Sequence, residues 1–424
     1  MKILIKNGHV LDPATGKDGI FDLLIEETLI KKVEPIITEE CDQVIDASGK
    51  YVMPGFIDLH VHLREPGFEY KETILTGSMA AAKGGFTSIC PMPNTRPVID
   101  NKYMIEYLKL KAEKEAVVHI LPVGAVSKDQ MGTELADIEG MVEAGALAIS
   151  EDGKSVMDTA LYYKSMKIAA KTGITVLAHC EDKSLVGNGV MNAGAKAEEL
   201  GMEGITNSVE DVITARDILM AKETNAKLHL CHCSTKDSVA LVKMAKEMGQ
   251  QVTGEVCPHH FTLSDADIMR DDANYKMNPP LRSKADVQAL KDGLKNNIMD
   301  VIATDHAPHS KEGKEKSIKD APFGIVGLET AFALTVTELV RQGYLTPMQM
   351  VEKLSCNPAN VIGVDKGSLQ PGYMADLVIA DMEEEYTIDS SQFVSKGTNT
   401  PFDGKKVYGR IEQTFVNGKL VYKY

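Results

Sequence analysis

Eight short runs that read as β-strands recur through the middle of the chain, at 55–62, 86–92, 117–126, 146–150, 174–180, 227–233, 251–257 and 301–305. Helical patterns lie between them, among them 71–83, 161–172, 208–223, 238–248 and 284–296, with apolar residues at three- and four-residue spacing. A strand followed by a helix, repeated eight times, predicts an α/β fold: a parallel (β/α)8 barrel of the TIM type. Chemistry in that fold sits where the strands end, at the C-terminal mouth. The residues that close each run therefore bear on function.

The two ends of the chain follow a different pattern. Runs at 2–11, 22–34 and 43–47 alternate with period two and are broken by Asn7-Gly8, Gly16 and Ser48-Gly49. Runs at 375–380, 410–416 and 419–424 repeat that style, with a hairpin signal at Asn417-Gly418. These ends predict one small composite β-sandwich domain, 1–52 plus 368–424, beside a barrel of 53–367.

Charge and cysteine usage narrow the partners. The formal net charge of −15 repels phosphate backbones and anionic membranes, and no basic stripe reverses it. Neither nucleic acid nor a membrane is expected as a partner. The Lys-rich stretch 311–319 also holds acidic residues and reads as a solvated loop. The opening residues alternate like a strand and lack the apolar core of a signal peptide. Seven cysteines form no disulfide-like framework, so a reduced, cytoplasmic protein is expected.

The strand ends gather metal-binding residue types. The first run ends in His60-Val61-His62, and side chains two apart on a strand share a face. The fifth brings His179, the sixth His232 and the eighth Asp305. Four imidazoles and a carboxylate at one rim would be costly to desolvate without a cation. Two metals need a bridging anion. Asp152, after the fourth run, is the best carboxylate, and Lys154 could serve only if carboxylated. Alternation turns Cys180, Cys231, Cys233 and His229 away from the site, and His9 and His119 read as ordinary strand residues. His259 and His260 follow the seventh run and stand as candidates for a direct role.

Four motifs together resemble a known family: Asp58-Leu-His-Val-His-Leu-Arg-Glu-Pro-Gly67, Met92-Pro-Asn-Thr95, Asn278-Pro-Pro-Leu-Arg282 and Ala303-Thr-Asp-His-Ala-Pro-His309. They resemble dihydroorotase of the bacterial class I type, within the amidohydrolase superfamily, and the likeness covers essentially the whole chain. It implies two zinc ions per subunit. His60, His62 and Asp305 would hold one, His179 and His232 the other, and Asp152 and a water or hydroxide would bridge them. A zinc pair lowers the pKa of a bound water from about 15.7 towards about 7.

The resemblance further implies that Arg64, Asn94 and His309 bind the substrate carboxylate. A guanidinium fork suits that task because it donates two parallel hydrogen bonds. Asn278 and the backbone at Phe323 and Gly324 would hold the ring amides, and His62 would border the substrate. The small-molecule reaction implied is reversible closure of N-carbamoyl-L-aspartate to (S)-dihydroorotate, the third step of pyrimidine synthesis, with Asp305 as general acid and base. The alternative is a dihydropyrimidinase-, hydantoinase- or allantoinase-like cyclic amidohydrolase, whose substrates give Arg64 no obvious partner. Residues 306–323, polar and without periodicity, read as a lid over the site. A homodimer is the expected assembly.

Overall fold

A computed structural model describes the whole chain, residues 1–424. Its eight barrel strands are Phe56–Val61, Phe86–Pro91, a divided third strand, Ala148–Ser150, Thr175–Ala178, Leu228–Leu230, Val252–Val256 and Val301–Ile302. The third strand is split into His119–Ile120, paired to the second, and Val123–Ala125, paired to the fourth. Pro122 lies in the gap, where it has no N–H to give a ladder. Every pairing is parallel. The ring closes where His306 bridges Val61 and its carbonyl accepts the His62 N–H at 2.8 Å.

Side chains fill the barrel rather than leaving a channel. Ile57, Leu59, Cys90, Val123, Ala148, Leu177 and Val301 belong to one buried cluster fed by successive strands. A larger apolar cluster joins strands such as Phe86–Pro91 and Val252–Val256 to the helices. Those helices start with side-chain caps. Thr73, Asp158, Thr235 and Ser283 accept backbone N–H groups of the first turns of Ile74–Lys83, Thr159–Thr172, Lys236–Glu247 and Lys284–Lys295. Each cap is worth about 1 kcal/mol, so the chain leaves the mouth at defined points. The helix Lys102–Glu115 buries only Ile105 and Leu108 completely, which is why its apolar stripe is weak in the sequence.

Strands from both ends of the chain form one eight-stranded sheet. Tyr51–Pro54 pairs antiparallel with Leu377–Thr387, which joins N-terminal strands to C-terminal ones. Ile3, Ile25, Val52, Leu377 and Phe415 share its buried core. The Asn417-Gly418 turn links Lys406–Val416 to Lys419–Lys423, both turn residues having positive φ as the tight hairpin demands. The run 22–34 is not one strand. It folds back at Glu27 (φ 58°) between Lys17–Glu26 and Leu29–Glu34, without a glycine or proline to announce the turn.

The Lys-rich stretch 311–319 also departs from a solvated loop. Lys311–Lys314 is a short helix, Ile318 and Ala321 are buried, and Lys314 points inward. Its Nζ donates to the carbonyls of Lys276, Pro322 and Gly324 at 3.2, 3.1 and 2.9 Å. Three carbonyls converging on one ammonium satisfy a cation that the composition alone would leave in water. No helix is long and apolar enough to cross a membrane.

Candidate active site

His60 is wholly buried at the end of the first strand. Beneath it Asp58 accepts the backbone N–H groups of His60 (3.0 Å) and Thr304 (3.1 Å), tying the first strand to the last. From this seam His60 and His62 project into the mouth. His60 Nε2 lies 3.2 Å from Asp152 Oδ1 and 3.5 Å from Asp305 Oδ1. His62 Nε2 lies 3.1 Å from Asp305 Oδ1 and 3.5 Å from Asp152 Oδ2. Across the site His179 Nδ1 and His232 Nε2 are 2.8 Å apart. They stand 3.4 and 3.7 Å from Asp152 Oδ1. The six residues named from the strand ends thus meet around one point, and Asp152 lies between the two groups of histidines. Lys154 is half-buried and forms no side-chain hydrogen bond or ion pair.

The outer nitrogens of three imidazoles are each met by an acceptor. His60 Nδ1 faces Glu255 Oε1 at 3.1 Å, His62 Nδ1 faces Asn94 Oδ1 at 3.1 Å, and His179 Nε2 faces Glu181 Oε2 at 2.7 Å. A proton placed on each outer nitrogen leaves a lone pair pointing inward, the arrangement metal-binding imidazoles adopt. The inward Nε2 of His60 is buried with no hydrogen-bond partner. Lone pairs and carboxylates converging in this way fit divalent cations held by nitrogen and oxygen.

The electrostatics agree. Burial works against charge on Asp152, yet His60, His179 and His232 hold its carboxyl well below the usual range. Asp305 is likewise held down against burial by His60 and His62. His179, which burial alone would lower, is carried up to about 10 by Asp152 and Glu181. Two ionised carboxylates in a buried pocket demand positive charge.

Three residues here have left-handed backbone without being glycine: Arg64 (φ 61°), His232 (φ 35°) and Asp305 (φ 48°). Such conformations are sparsely populated and recur at functional sites. At His232 the consequence corrects the alternation argument. His229 and Cys231 face the barrel interior, and the turned backbone re-aims His232 to the same side. His229 Nε2 meets Glu255 Oε2 at 2.9 Å, and its Nδ1 meets Thr253 Oγ1 at 2.8 Å. Cys231 shares the interior cluster with Ile57 and Leu177. Cys180 and Cys233 pack in the larger apolar cluster, on the outer side. His259 and His260 are buried side by side, 4.2 Å between ring centres, and neither hydrogen-bonds the six site residues. Burial pushes His259 down to about 4.

The proposed substrate contacts border this centre. Arg64 Nε donates to Pro308 O at 3.3 Å, and Nη2 lies 3.4 Å from His309 Nε2. Burial lowers Arg64 to about 10, so it stays charged at neutral pH. His309 Nε2 donates to Phe323 O at 2.8 Å; burial, then Arg64, push it down to about 2, leaving a neutral ring. Asn94 differs from a simple carboxylate anchor. Its oxygen is taken by His62, and its Nδ2 donates to Asp152 Oδ2 at 3.0 Å. Asn278 Nδ2 donates to Glu181 Oε2 at 3.0 Å. Gly324 has φ 129°, and a Cβ there would fall 2.7 Å from the Ala307 Cβ and 3.1 Å from His309 Nε2. Only glycine fits this conformation and this approach.

Glu181 and Glu255 were missed from sequence alone. Glu255 left one signal, a carboxylate inside an otherwise buried strand.

A family model described as dihydro-orotase-like matches residues 49–238. The dihydroorotase of Pelotomaculum thermopropionicum is 49% identical over 421 residues, covering 99% of this chain and 98% of that protein. That of Staphylococcus epidermidis is 47% identical over 422 residues, covering 99% of each. Among solved structures, the L-hydantoinase (dihydropyrimidinase) of Arthrobacter aurescens superposes with a TM-score of 0.90 at 27% identity, over 99% of this chain and 96% of that one. The dihydropyrimidinase of Brevibacillus agri NCHU1002 gives 0.88 at 27% identity, over 100% and 95%.

Proposed function

Since the chain belongs to the dihydroorotase family, we propose that it interconverts N-carbamoyl-L-aspartate and (S)-dihydroorotate in pyrimidine biosynthesis. One observation above all supports this: six metal-binding side chains gather at the barrel mouth beside a charged guanidinium whose Nη groups meet no protein oxygen. A cyclic amide that bears a carboxylate would use both features.

His60, His62 and Asp305 would hold one zinc ion, His179 and His232 a second, with Asp152 between them. When bound, the two cations supply a water deprotonated near neutral pH and a Lewis acid for the carbonyl oxygen. The rest falls to the protein. Arg64 binds the carboxylate with the N–H groups not given to Pro308, while the second N–H of Asn94 completes that contact and the neutral His309 ring borders it. Asn278 and the Phe323–Gly324 backbone orient the ring amides, with His62 beside them. In ring opening, Asp305 accepts the proton of the attacking water oxygen and returns it to the ring nitrogen as the C–N bond breaks. In ring closure, protonated Asp305 assists departure of water. Residues 306–323 act as the lid, latched by Lys314.

The same reading takes 1–52 plus 368–424 as the composite β domain, 53–367 as the catalytic barrel, and a cytoplasmic homodimer as the working form. All seven cysteines are free thiols, which suits that compartment.

A ring-closure assay with carbamoyl aspartate, before and after chelation, tests the function. Turnover that chelation abolishes and zinc restores is the expected result. Full activity without metal, or turnover of hydantoins but not of carbamoyl aspartate, would reject it.

A further inference from the structure

The connection between the strands Leu377–Thr387 and Lys406–Val416 runs back across the barrel mouth. Glu329 accepts the N–H groups of Val394 and Ser395 at 2.9 and 3.0 Å, and Ser395 Oγ donates to Glu72 at 2.5 Å. Gly397 then lies so close to Pro308 that a Cβ would fall 2.7 Å from the proline Cβ. This strap delivers the buried Asn399 between the two chain segments that supply the substrate contacts after the eighth strand.

Asn399 bonds to both. Its Oδ1 accepts the His309 N–H at 3.1 Å. Its Nδ2 donates to Ala307 O at 3.2 Å and to Gly324 O at 3.0 Å. Its own carbonyl accepts the Val326 N–H at 2.9 Å. Both amide hydrogens and the amide oxygen are occupied by backbone groups, so the side chain serves the protein rather than the substrate. An amide is the group this site needs, because it pairs one acceptor with two donors on a short stem. Aspartate would set an oxygen against two carbonyl oxygens, and alanine would leave the His309 N–H and the Ala307 carbonyl unpaired, Gly324 O keeping only Lys314.

We propose that Asn399 is a positioning residue, by which the C-terminal part of the chain fixes the spacing between His309 and the Gly324 backbone. The proposal rests on the reading of those two groups as substrate contacts. It places the effect of Asn399 on substrate binding rather than on metal binding or proton transfer.

The test measures KM and kcat for carbamoyl aspartate in Asn399→Asp, Asn399→Ala, His309→Ala and the double variant with Asn399→Asp, together with zinc content and the unfolding midpoint. KM is expected to rise about tenfold in either Asn399 variant, with kcat changed less than about threefold and zinc content unchanged. In the His309→Ala background, Asn399→Asp is expected to add less than about twofold, because residues that act through one another are not additive. Should Asn399→Asp and Asn399→Ala fail to fold, Asn399→Gln keeps the amide but shifts it by one methylene; the same rise in KM is expected. An unchanged KM in the Asn399 variants, while His309→Ala raises it, overturns the positioning role alone. An unchanged KM in His309→Ala overturns the substrate-contact reading beneath it.

Discussion

Glu255→Gln isolates the charge behind His60 from the shape around it. Glu255 is fully buried on the seventh barrel strand. One oxygen faces His60 Nδ1 at 3.1 Å and accepts the His232 N–H at 3.0 Å, while the other faces His229 at 2.9 Å. Burial disfavours its ionisation, but His229 and His60 hold the carboxyl far below the usual range. Glutamine can keep every contact. Its oxygen serves His60 and His232, and its NH2 meets His229, which moves its proton to the Nδ1 that already faces Thr253 Oγ1 at 2.8 Å. Packing and hydrogen bonding are conserved, and only the negative charge is lost. Mutating the group that hydrogen-bonds a metal-binding imidazole weakens metal affinity about 10- to 100-fold, or ~1.4–2.8 kcal/mol. Metal-stripped enzyme titrated against buffered free zinc should show that shift in the midpoint of activity. Most of the wild-type rate should return at saturating zinc, and the stability of the stripped protein should not change. Glu255→Leu, by contrast, strands three donors at about 1–3 kcal/mol each and should lower stability as well. If Glu255→Gln loads zinc at the wild-type concentration, the carboxylate does not tune His60 and the reasoning is wrong.

Asp305→Ala should keep its fold by circular dichroism yet lose about 10²- to 10⁴-fold in turnover in both directions; a near-normal rate would remove Asp305 from the proton-transfer role. Asp152→Ala should lose bound metal by elemental analysis while Lys154→Ala keeps both metal and rate, because Asp152 lies among the histidines and Lys154 does not; loss of activity in Lys154→Ala alone would favour a carboxylated lysine. Lys314 gives a pH signature. Burial, then Lys276, push its ammonium down to about 7. Between there and the ordinary lysine range the unfolded chain binds the extra proton, so the wild type should gain stability relative to Lys314→Met as pH rises through that window and show no further change in the difference below it. Denaturant midpoints for both proteins across the window check the sign, and a difference that shrinks with rising pH would contradict it.

Short strand-like runs alternating with helical ones implied the barrel, because such local patterns are fixed by a few consecutive dihedral angles. His60 and His62 could be set on one face for the same reason, and the Asn417-Gly418 hairpin followed from turn chemistry. What adjacency could not convey was the direction of a side chain where the backbone leaves the regular strand. His232 faces inward because of its positive φ, a conformation imposed by surrounding structure that no neighbour in the chain encodes. Nor could it reveal partners brought together by closure of the ring: Glu255 sits behind His60 from 195 residues away, and Asn399 holds His309 from 90. Lys314 looked like one more solvated lysine because composition does not say where three carbonyls will converge. Short-range patterns settled which residue types lined the mouth; the closed fold alone decided which of them touch.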